Sequence, residues 1–447
     1  MAHQIQFVDA VSASATVLLD LNADEFRCVR FVPNPPDLRR TVSQNAMTDG
    51  GSVGASSYDL RTIDVTIELV AADIDAWAAK FQKLARILDG KTAVIRYRRD
   101  GATYPVFFTT YRSPLSEVLE VASYRVRDQV SFTLLADPFA YGTLESFSGT
   151  ISQDATSGSS FIATTPTIKG DVAAPFAVDL DGTGIYAAKP LLLASIASEA
   201  TPSLTRVTAN GSFTLGTDAS NVTGAGGSIW NGDYVNVSFG TTTTDANRAS
   251  FSASLPAGRW RVLARVANYD ATPVDTDYIS LHVRQTDSGG TALETGSTVK
   301  LYESSGDPLL YSMGVFTVPF GGAPNSGNTT AYFRLHAAQT SSTGALRIDG
   351  VVFVPVELAD FTDQTSALLS NNSGDPTSGV IVDGLTQETY YGDYGSGDPY
   401  SPPPMLGGFG RLSPGQVNSL IVGTGVLTVS YAVYYHPLYT LVRPVGS

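Results

Sequence analysis

The chain is poor in almost every residue type that does chemistry. Its 447 residues include one cysteine, Cys28, and four histidines, His3, His282, His336 and His436. A single cysteine excludes an internal disulfide framework and a thiolate cluster, so stability must come from packing or oligomerisation. No His-x-x-His or His-x-x-x-His pair exists, and no zinc site is expected. There is no Gly-x-Ser-x-Gly elbow and no phosphate-cradling Gly-Lys-Ser/Thr loop. Carboxylates are plentiful, but nothing singles out a pair for glycoside hydrolysis. No run of about 18 apolar residues is present to span a membrane. Met1–Asp9 lacks a basic region followed by an apolar run, so no secretory signal is expected and the chain should be made and stay soluble in a cytoplasm. No catalytic, cofactor or metal site is expected, and the chain does not read as an enzyme.

Basic residues are also scarce: 28 Lys and Arg face 42 Asp and Glu, a net charge of −14. The imbalance is uneven. Residues 1–142 carry 15 basic against 17 acidic side chains, and the remainder carries 13 against 25. So acidic a surface does not bind nucleic acid by neutralising phosphates. It suits a soluble exterior, or the wall of a channel through which DNA slips without sticking.

What the chain does have is alternation. Hydrophobic residues make up 43% and charged residues only 16%. Short period-two segments between Gly-, Ser- and Thr-rich turns dominate, which predicts a mainly β protein of about three domains. Residues 1–142 read as one α+β domain. Arg61–Val70 alternates without a break, with Ile63, Val65, Ile67 and Leu69 inward. Asp73–Leu88 is the clearest helix, with Ile74, Trp77, Phe81, Leu84 and Leu88 on one stripe, Asp73 as N-cap and Gly90 as stop. Pro33–Ser57, rich in Pro, Gly, Ser and Asn, predicts a long mobile loop or an extended hairpin arm. Further strands are expected at Ala93–Arg99, Pro105–Tyr111 and Tyr124–Leu135. Residues 143–184 and 359–447 share a style and together make one split β-sandwich. Between them, residues 185–358 predict an inserted, jelly-roll-like sandwich with strands at Tyr234–Phe239, Ala249–Leu255, Trp260–Val266, Tyr278–Arg284, Met313–Val318, Ala331–Ala337 and Leu346–Val354.

One ending is distinctive. The strand carrying Val126, Val130, Phe132 and Leu134 runs into Leu134-Leu135-Ala136-Asp137-Pro138-Phe139-Ala140-Tyr141-Gly142. This resembles the end of the first domain of siphophage distal tail proteins, and Arg411–Asn418 resembles the Leu-x-Pro-Gly-x-Asn turn near the end of such proteins. The resemblance covers residues 1–184 and 359–447. It implies an N-terminal ring-forming domain (a β-sandwich with one helix), a galectin-like sandwich after it, and a binding module inserted in a loop. It also implies a hexameric ring in the virion tail tip, contacting tail-tube and hub or baseplate proteins, with no nucleic-acid binding and no membrane insertion.

Candidate contacts follow. Aromatic faces stack on sugars, so Trp230 and Tyr234, which flank the Asn231-Gly232-Asp233 turn, and Tyr269 at a strand end are candidates for host glycan. Trp260 alternates in phase with Val262 and Val266 and reads as core. Arg96 and Arg98 share a strand face, and with Arg99 they could pair with a neighbouring subunit. Asp375, Asp383, Glu388, Asp393 and Asp398 in Gly374–Tyr400 could hold calcium, but their spacing matches no loop and favours a solvated segment. The alternative function is a carbohydrate-binding protein or glycosidase with accessory β-domains.

Overall fold

The computed structural model describes residues 3–440 apart from 24, 45–50, 91, 112, 114–126, 153–161, 182–191, 199–204, 209–211, 224–232, 240–243, 271–277, 302–308, 320–328, 341–343, 357–358, 364–379, 392–405, 408 and 424–427. The protein is mainly β and divides into two compact units. One comprises 1–145, 169–174 and 435–447, and the other 146–168 and 175–434.

The first unit is built on an antiparallel sheet in the order Val17–Asp20, Gln4–Val8, Thr92–Arg98, Val106–Tyr111, Arg127–Ala136, Arg61–Val70, Phe26–Pro33. The alternation of Arg61–Val70 is realised residue by residue: Ile63, Val65, Ile67 and Leu69 are buried and their neighbours face out. Its partner Arg127–Ala136 sends Leu134 and Ala136 into the same core. The helix runs Ile74–Leu88. The Asp73 carboxylate caps it by accepting from the Ala76 amide at 2.7 Å, and the Gly90 amide closes it on the Ile87 carbonyl at 3.3 Å. Leu84 and Leu88 are buried and Trp77 stacks on Phe81 at 5.2 Å. Ile74 departs from the expected stripe and is half exposed. The Pro33–Ser57 segment forms the hairpin of the two expected forms, Leu38–Gln44 pairing with Gly51–Tyr58.

The Asp-Pro-Phe-Ala-Tyr-Gly ending is a three-way junction. Ala140–Tyr141 pairs with the strand Leu438–Tyr439 near the other end of the chain, and Tyr141 also pairs with Phe107. Asp137 accepts from the Tyr111 hydroxyl at 2.6 Å and the Tyr141 hydroxyl at 2.9 Å. Burial and this carboxylate push the Tyr141 phenol far above its usual value. Arg61, 1% exposed, takes the inward phase of its strand. Its Nε donates to the Pro138 carbonyl at 2.8 Å and its Nη2 to the Thr440 carbonyl at 2.9 Å, with the guanidinium over Phe108. Burial lowers its pKa to about 10, which leaves it charged at neutral pH.

Among the described residues, the second unit holds four sheets. In one pair, Glu145–Ser152, Thr428–Tyr435, Ala174–Asp181, Val380–Asp383 and Glu388–Tyr391 form one sheet. Ile162–Thr164, Val417–Gly423, Leu192–Ser198, Ala359–Asp363 and Leu406–Gly407 form the other. Leu192–Ser198 is hydrogen-bonded to Val417–Gly423, so in sheet terms the excursion begins beyond Ser198. The Pro414-Gly415 turn is braced by buried Asn418, which accepts from the Ser413 amide at 2.8 Å and donates to the Ser413 and Gln416 carbonyls. Gly415 there has a φ of 72°, open to glycine at no steric cost.

The other pair of sheets takes Thr205–Pro355. One runs Ala219–Val222, Tyr234–Ser238, Gly344–Pro355, Gly258–Asp270, Leu309–Val318, and the other Thr214–Leu215, Ala246–Leu255, Thr329–Gln339, Ile279–Thr286, Ala292–Thr295. Inward residues of both sheets, among them Val237, Phe251, Val262, Val283, Phe333 and Phe353, make one core. Trp260 belongs to it, its indole N–H donating to the Pro256 carbonyl at 3.0 Å. Two arginines are buried here as well. Arg265 pairs with Asp349, and Arg248 bonds Asp218 at 3.0 Å and the Ala337 carbonyl at 3.1 Å.

Arg61→Leu removes the guanidinium and leaves the Pro138 and Thr440 carbonyls without their partner. It is expected to lower unfolding free energy by about 3 kcal/mol, measured by denaturant titration. Arg61→Lys, a point charge without the planar fork, should recover less than half of that. A loss within error of zero for Arg61→Leu would contradict this role.

Buried His436 gives a pH test. Its Nδ1 lies 3.0 Å from the Gly142 carbonyl oxygen, and burial lowers its pKa below the usual 6.5. The folded state therefore resists a proton that the unfolded chain takes up near pH 6.5. The stability is present above that value and lost as pH falls below it. His436→Gln is expected to flatten the decline in melting temperature between pH 7 and pH 5; an unchanged slope would contradict it.

Candidate functional site

The expected contact residues are scattered. Arg96 is engaged within its own chain: its Nε donates to Gln6 Oε1 at 2.9 Å and its Nη1 to the Ala13 carbonyl at 3.3 Å. Gln6 passes the contact on to Asp20 at 2.6 Å, completing a row across three paired strands. Arg98 is half-buried and Arg99 exposed. Trp230 lies outside the described residues. Tyr269 falls on the strand Gly258–Asp270, paired with Ala345, and its side chain is outside the description. Tyr234 is half-buried with the Arg347 guanidinium 5.2 Å from its ring centre. Of the acidic loop, Asp375, Asp393 and Asp398 lie outside the described residues. Asp383 is buried and accepts from the Leu385 and Thr386 amides, a turn-forming role. Burial pushes the Cys28 thiol up to about 11, so it is no nucleophile at neutral pH.

The polar side chains that converge lie elsewhere, on the outer face of the sheet containing Ala246–Leu255, Thr329–Gln339 and Ile279–Thr286. Alternation creates this face. Ala331, Phe333, Leu335 and Ala337 point inward, which turns Tyr332, Arg334 and His336 out in a row. The same phase on the flanking strands presents Ser250 and Ser252 on one side and His282 and Arg284 on the other.

Toward one end, the face forms a groove of about 230 Å³ lined by Thr214, Ser250, Ser252, Asp287, Tyr332 and Arg334 among others. Tyr332 is 38% exposed. The rim is the turn Asp287–Thr291, held by the Thr291 amide donating to Asp287 Oδ1 at 2.8 Å and the Gly290 amide to the Asp287 carbonyl at 3.0 Å. The Thr291 contact keeps the Asp287 carboxyl below the ordinary range. Gly290 has a φ of 90°, and a Cβ there would stand 1.7 Å from Arg334 Nη2. The turn is thus shaped to let the guanidinium pass.

At the other end sits a titratable cluster. His282 and His336 are direct cross-strand partners, their rings stacked at 5.3 Å. Asp245, just before its strand, reaches them: Oδ1 is 4.0 Å from His282 Nδ1 and Oδ2 is 3.5 Å from His336 Nδ1. Arg284 Nη2 donates to Asp245 Oδ2 at 2.8 Å, and its Nε to His282 Nε2 at 3.0 Å. Burial, then the Arg284 charge, lowers His336 to about 4; burial also lowers His282. Sequence spacing could not reveal this group. It is assembled by strand register across residues 37 or more positions apart, and the visible signal was one histidine in the outward phase of each strand.

No family model and no curated protein sequence matches the chain. Among solved structures, it is similar to the Dit protein of phage SPP1, a hub adsorption apparatus protein of phages infecting Gram-positive hosts, at 8% identity, TM-score 0.38, covering 98% of this chain and 99% of that one. It is also similar to the phage p2 baseplate in its activated conformation with Sr, at 12% identity and TM-score 0.26, covering 78% of this chain and 98% of that one. The mosquito-larvicidal Cry4Aa toxin of Bacillus thuringiensis follows at 11% identity and TM-score 0.24, covering 79% of this chain and 52% of the toxin.

Gly290→Ala is expected to destabilise the fold by about 1–2 kcal/mol, through the positive φ and the displaced guanidinium. A double-mutant cycle separates the two. In an Arg334→Ala background the cost should fall, leaving the backbone part; an equal cost in both backgrounds would show that Arg334 does not occupy this space.

Proposed function

We propose that the chain is a structural protein of a phage tail tip, a ring-forming distal tail subunit of the virion. Residues 1–142 form the ring domain, 143–184 with 359–447 and the strand Leu192–Ser198 a galectin-like sandwich, and the rest of 185–358 an inserted jelly-roll-like module. The ring is a hexamer that joins the tail tube to the hub or baseplate, and its work is binding geometry with no chemical step. The observation that carries the reading is the Asp137–Gly142 ending. The residues resembling the end of the first distal-tail domain are the ones that close the first unit. They are paired to the strand at Leu438–Tyr439 and tied by Arg61. The reading is also supported by the one helix among the described residues, Ile74–Leu88, which stands among the strands of the first unit, with the sheets of the second unit following it in the chain.

The inserted module supplies the recognition surface in this reading. Its groove offers an exposed tyrosine face, hydroxyls from Thr214, Ser250 and Ser252, and charged ends at Arg334 and Asp287, a suitable set for a sugar ring and its hydroxyls. Asp287 is the sole carboxylate among the described lining residues, whereas glycoside hydrolysis calls for two carboxyls about 5–10 Å apart. This favours binding over the glycosidase alternative.

Immunogold labelling should place the chain at tail tips, and labelling elsewhere on the particle would refute the assignment. For the groove, Tyr332→Ala is expected to weaken binding to host cell-wall glycan about fivefold, read by pull-down. Loss instead on Trp230→Ala or Tyr234→Ala would move the contact to the sequence-derived residues.

A further inference from the structure

Among the described residues, Asp245, His282 and His336 bring ligand-capable atoms within 4.8 Å of one another. We propose that these three side chains form a binding site for a divalent first-row transition metal of the zinc class, with Arg284 standing in for the cation when no metal is bound. The inference is independent of any role in a phage.

The geometry is close to a metal's requirement. Tetrahedral zinc with bonds of about 2.0–2.1 Å places its ligand atoms about 3.3 Å apart. Asp245 Oδ2 stands 3.5 Å from His336 Nδ1 and Asp245 Oδ1 stands 4.0 Å from His282 Nδ1, so the group draws in by up to about 0.7 Å to meet one ion. The histidines are fixed by backbone register, on adjacent strands of one sheet, while Asp245 is exposed enough to adjust. Both side chains are 12% exposed, so a bound ion would be partly shielded while open to entry from solvent.

Two buried atoms point the same way. His336 Nδ1 and Asn247 Oδ1 are buried with no hydrogen-bond partner. Asn247 is the cross-strand partner of His336 on the side away from His282. A cation held by His336 Nδ1 gives that buried atom a partner, and Asn247, paired with His336 across the strands, is in register to offer a further oxygen. Two imidazoles and one or two oxygens suit zinc, cobalt or nickel and suit calcium or magnesium poorly, since those take oxygen sets.

Arg284 sets the competition. Its Nε–H donates to His282 Nε2, which leaves the ring proton on Nδ1, facing Asp245. Ligation through Nδ1 moves that proton to Nε2, where it opposes the Arg284 N–H. Metal entry therefore displaces Arg284 from both His282 and Asp245. The number of protons on the ring is unchanged, and no redox step is involved.

The test uses the full chain, stripped with chelator and titrated with zinc by equilibrium dialysis and with cobalt by its visible d–d bands. One equivalent should bind per chain, with imidazole-type cobalt bands and a raised melting temperature. His336→Gln and Asp245→Asn should each weaken binding on the order of 100-fold, and Arg284→Gln should tighten it about tenfold. Circular dichroism confirms the fold of each variant, and either ligand variant alone suffices if the other does not fold. Absence of stoichiometric zinc on the wild-type chain, or zinc binding that survives the ligand variants unchanged, overturns the site. Weaker binding by Arg284→Gln overturns the competition. Calcium competing equally with zinc overturns the assigned metal class.

Discussion

The first unit depends on one short pairing between distant parts of the chain. Ala140–Tyr141 is joined to Leu438–Tyr439, and the Gly142 amide donates to the Pro437 carbonyl at 2.7 Å. Two-residue strands are weak on their own. This one is held by Arg61, whose buried guanidinium ties the Pro138 and Thr440 carbonyls to the start of the alternating strand Arg61–Val70. A buried charge is costly unless its donors are matched, and here both carbonyls and the Phe108 ring meet it. The consequence is topological. The chain leaves the unit after Glu145, comes back for Lys169–Ala174, and leaves again until Tyr435, so residues 146–168 and 175–434 are excursions from an already closed sheet. Adding or enlarging such an excursion does not disturb the parent, because loop-closure entropy grows only slowly with length.

Inside the excursion, the two sides of one sheet carry different residues. Phe251, Phe333 and Val283 fill the core, and the alternate residues of the same strands form the groove and the histidine cluster. A change on the outer face therefore costs little packing. This suits a surface that varies with its target, and it explains how polar groups such as Arg334 and His336 are carried on strands whose inner faces are almost fully apolar.

Much of this was legible in sequence, for a physical reason. Period-two alternation is imposed by the pleat, so Arg61–Val70, Ala246–Leu255 and Thr329–Gln339 announce both strand and facing. The helix was readable from its stripe and its Asp73 cap. Three things were not. The burial of Arg61, Arg248 and Arg265 had no sign in the sequence, because burial of an arginine depends on carbonyls and carboxylates supplied by distant strands. Leu192–Ser198 stands in the predicted insertion, yet pairs with Val417–Gly423, a partnership set by hydrogen bonding across more than two hundred residues. The His282–His336 pair arises from register alone, and spacing motifs detect only ligands that lie on one turn or one strand.

The central claim is that the closed first unit is a ring subunit. A ring demands a heterologous interface whose rotation closes on itself. Negative-stain electron microscopy of the purified chain at high concentration tests this most directly. The account predicts closed rings of one diameter with sixfold symmetry. A field of single particles at every concentration, or open filaments with no closure, would contradict it.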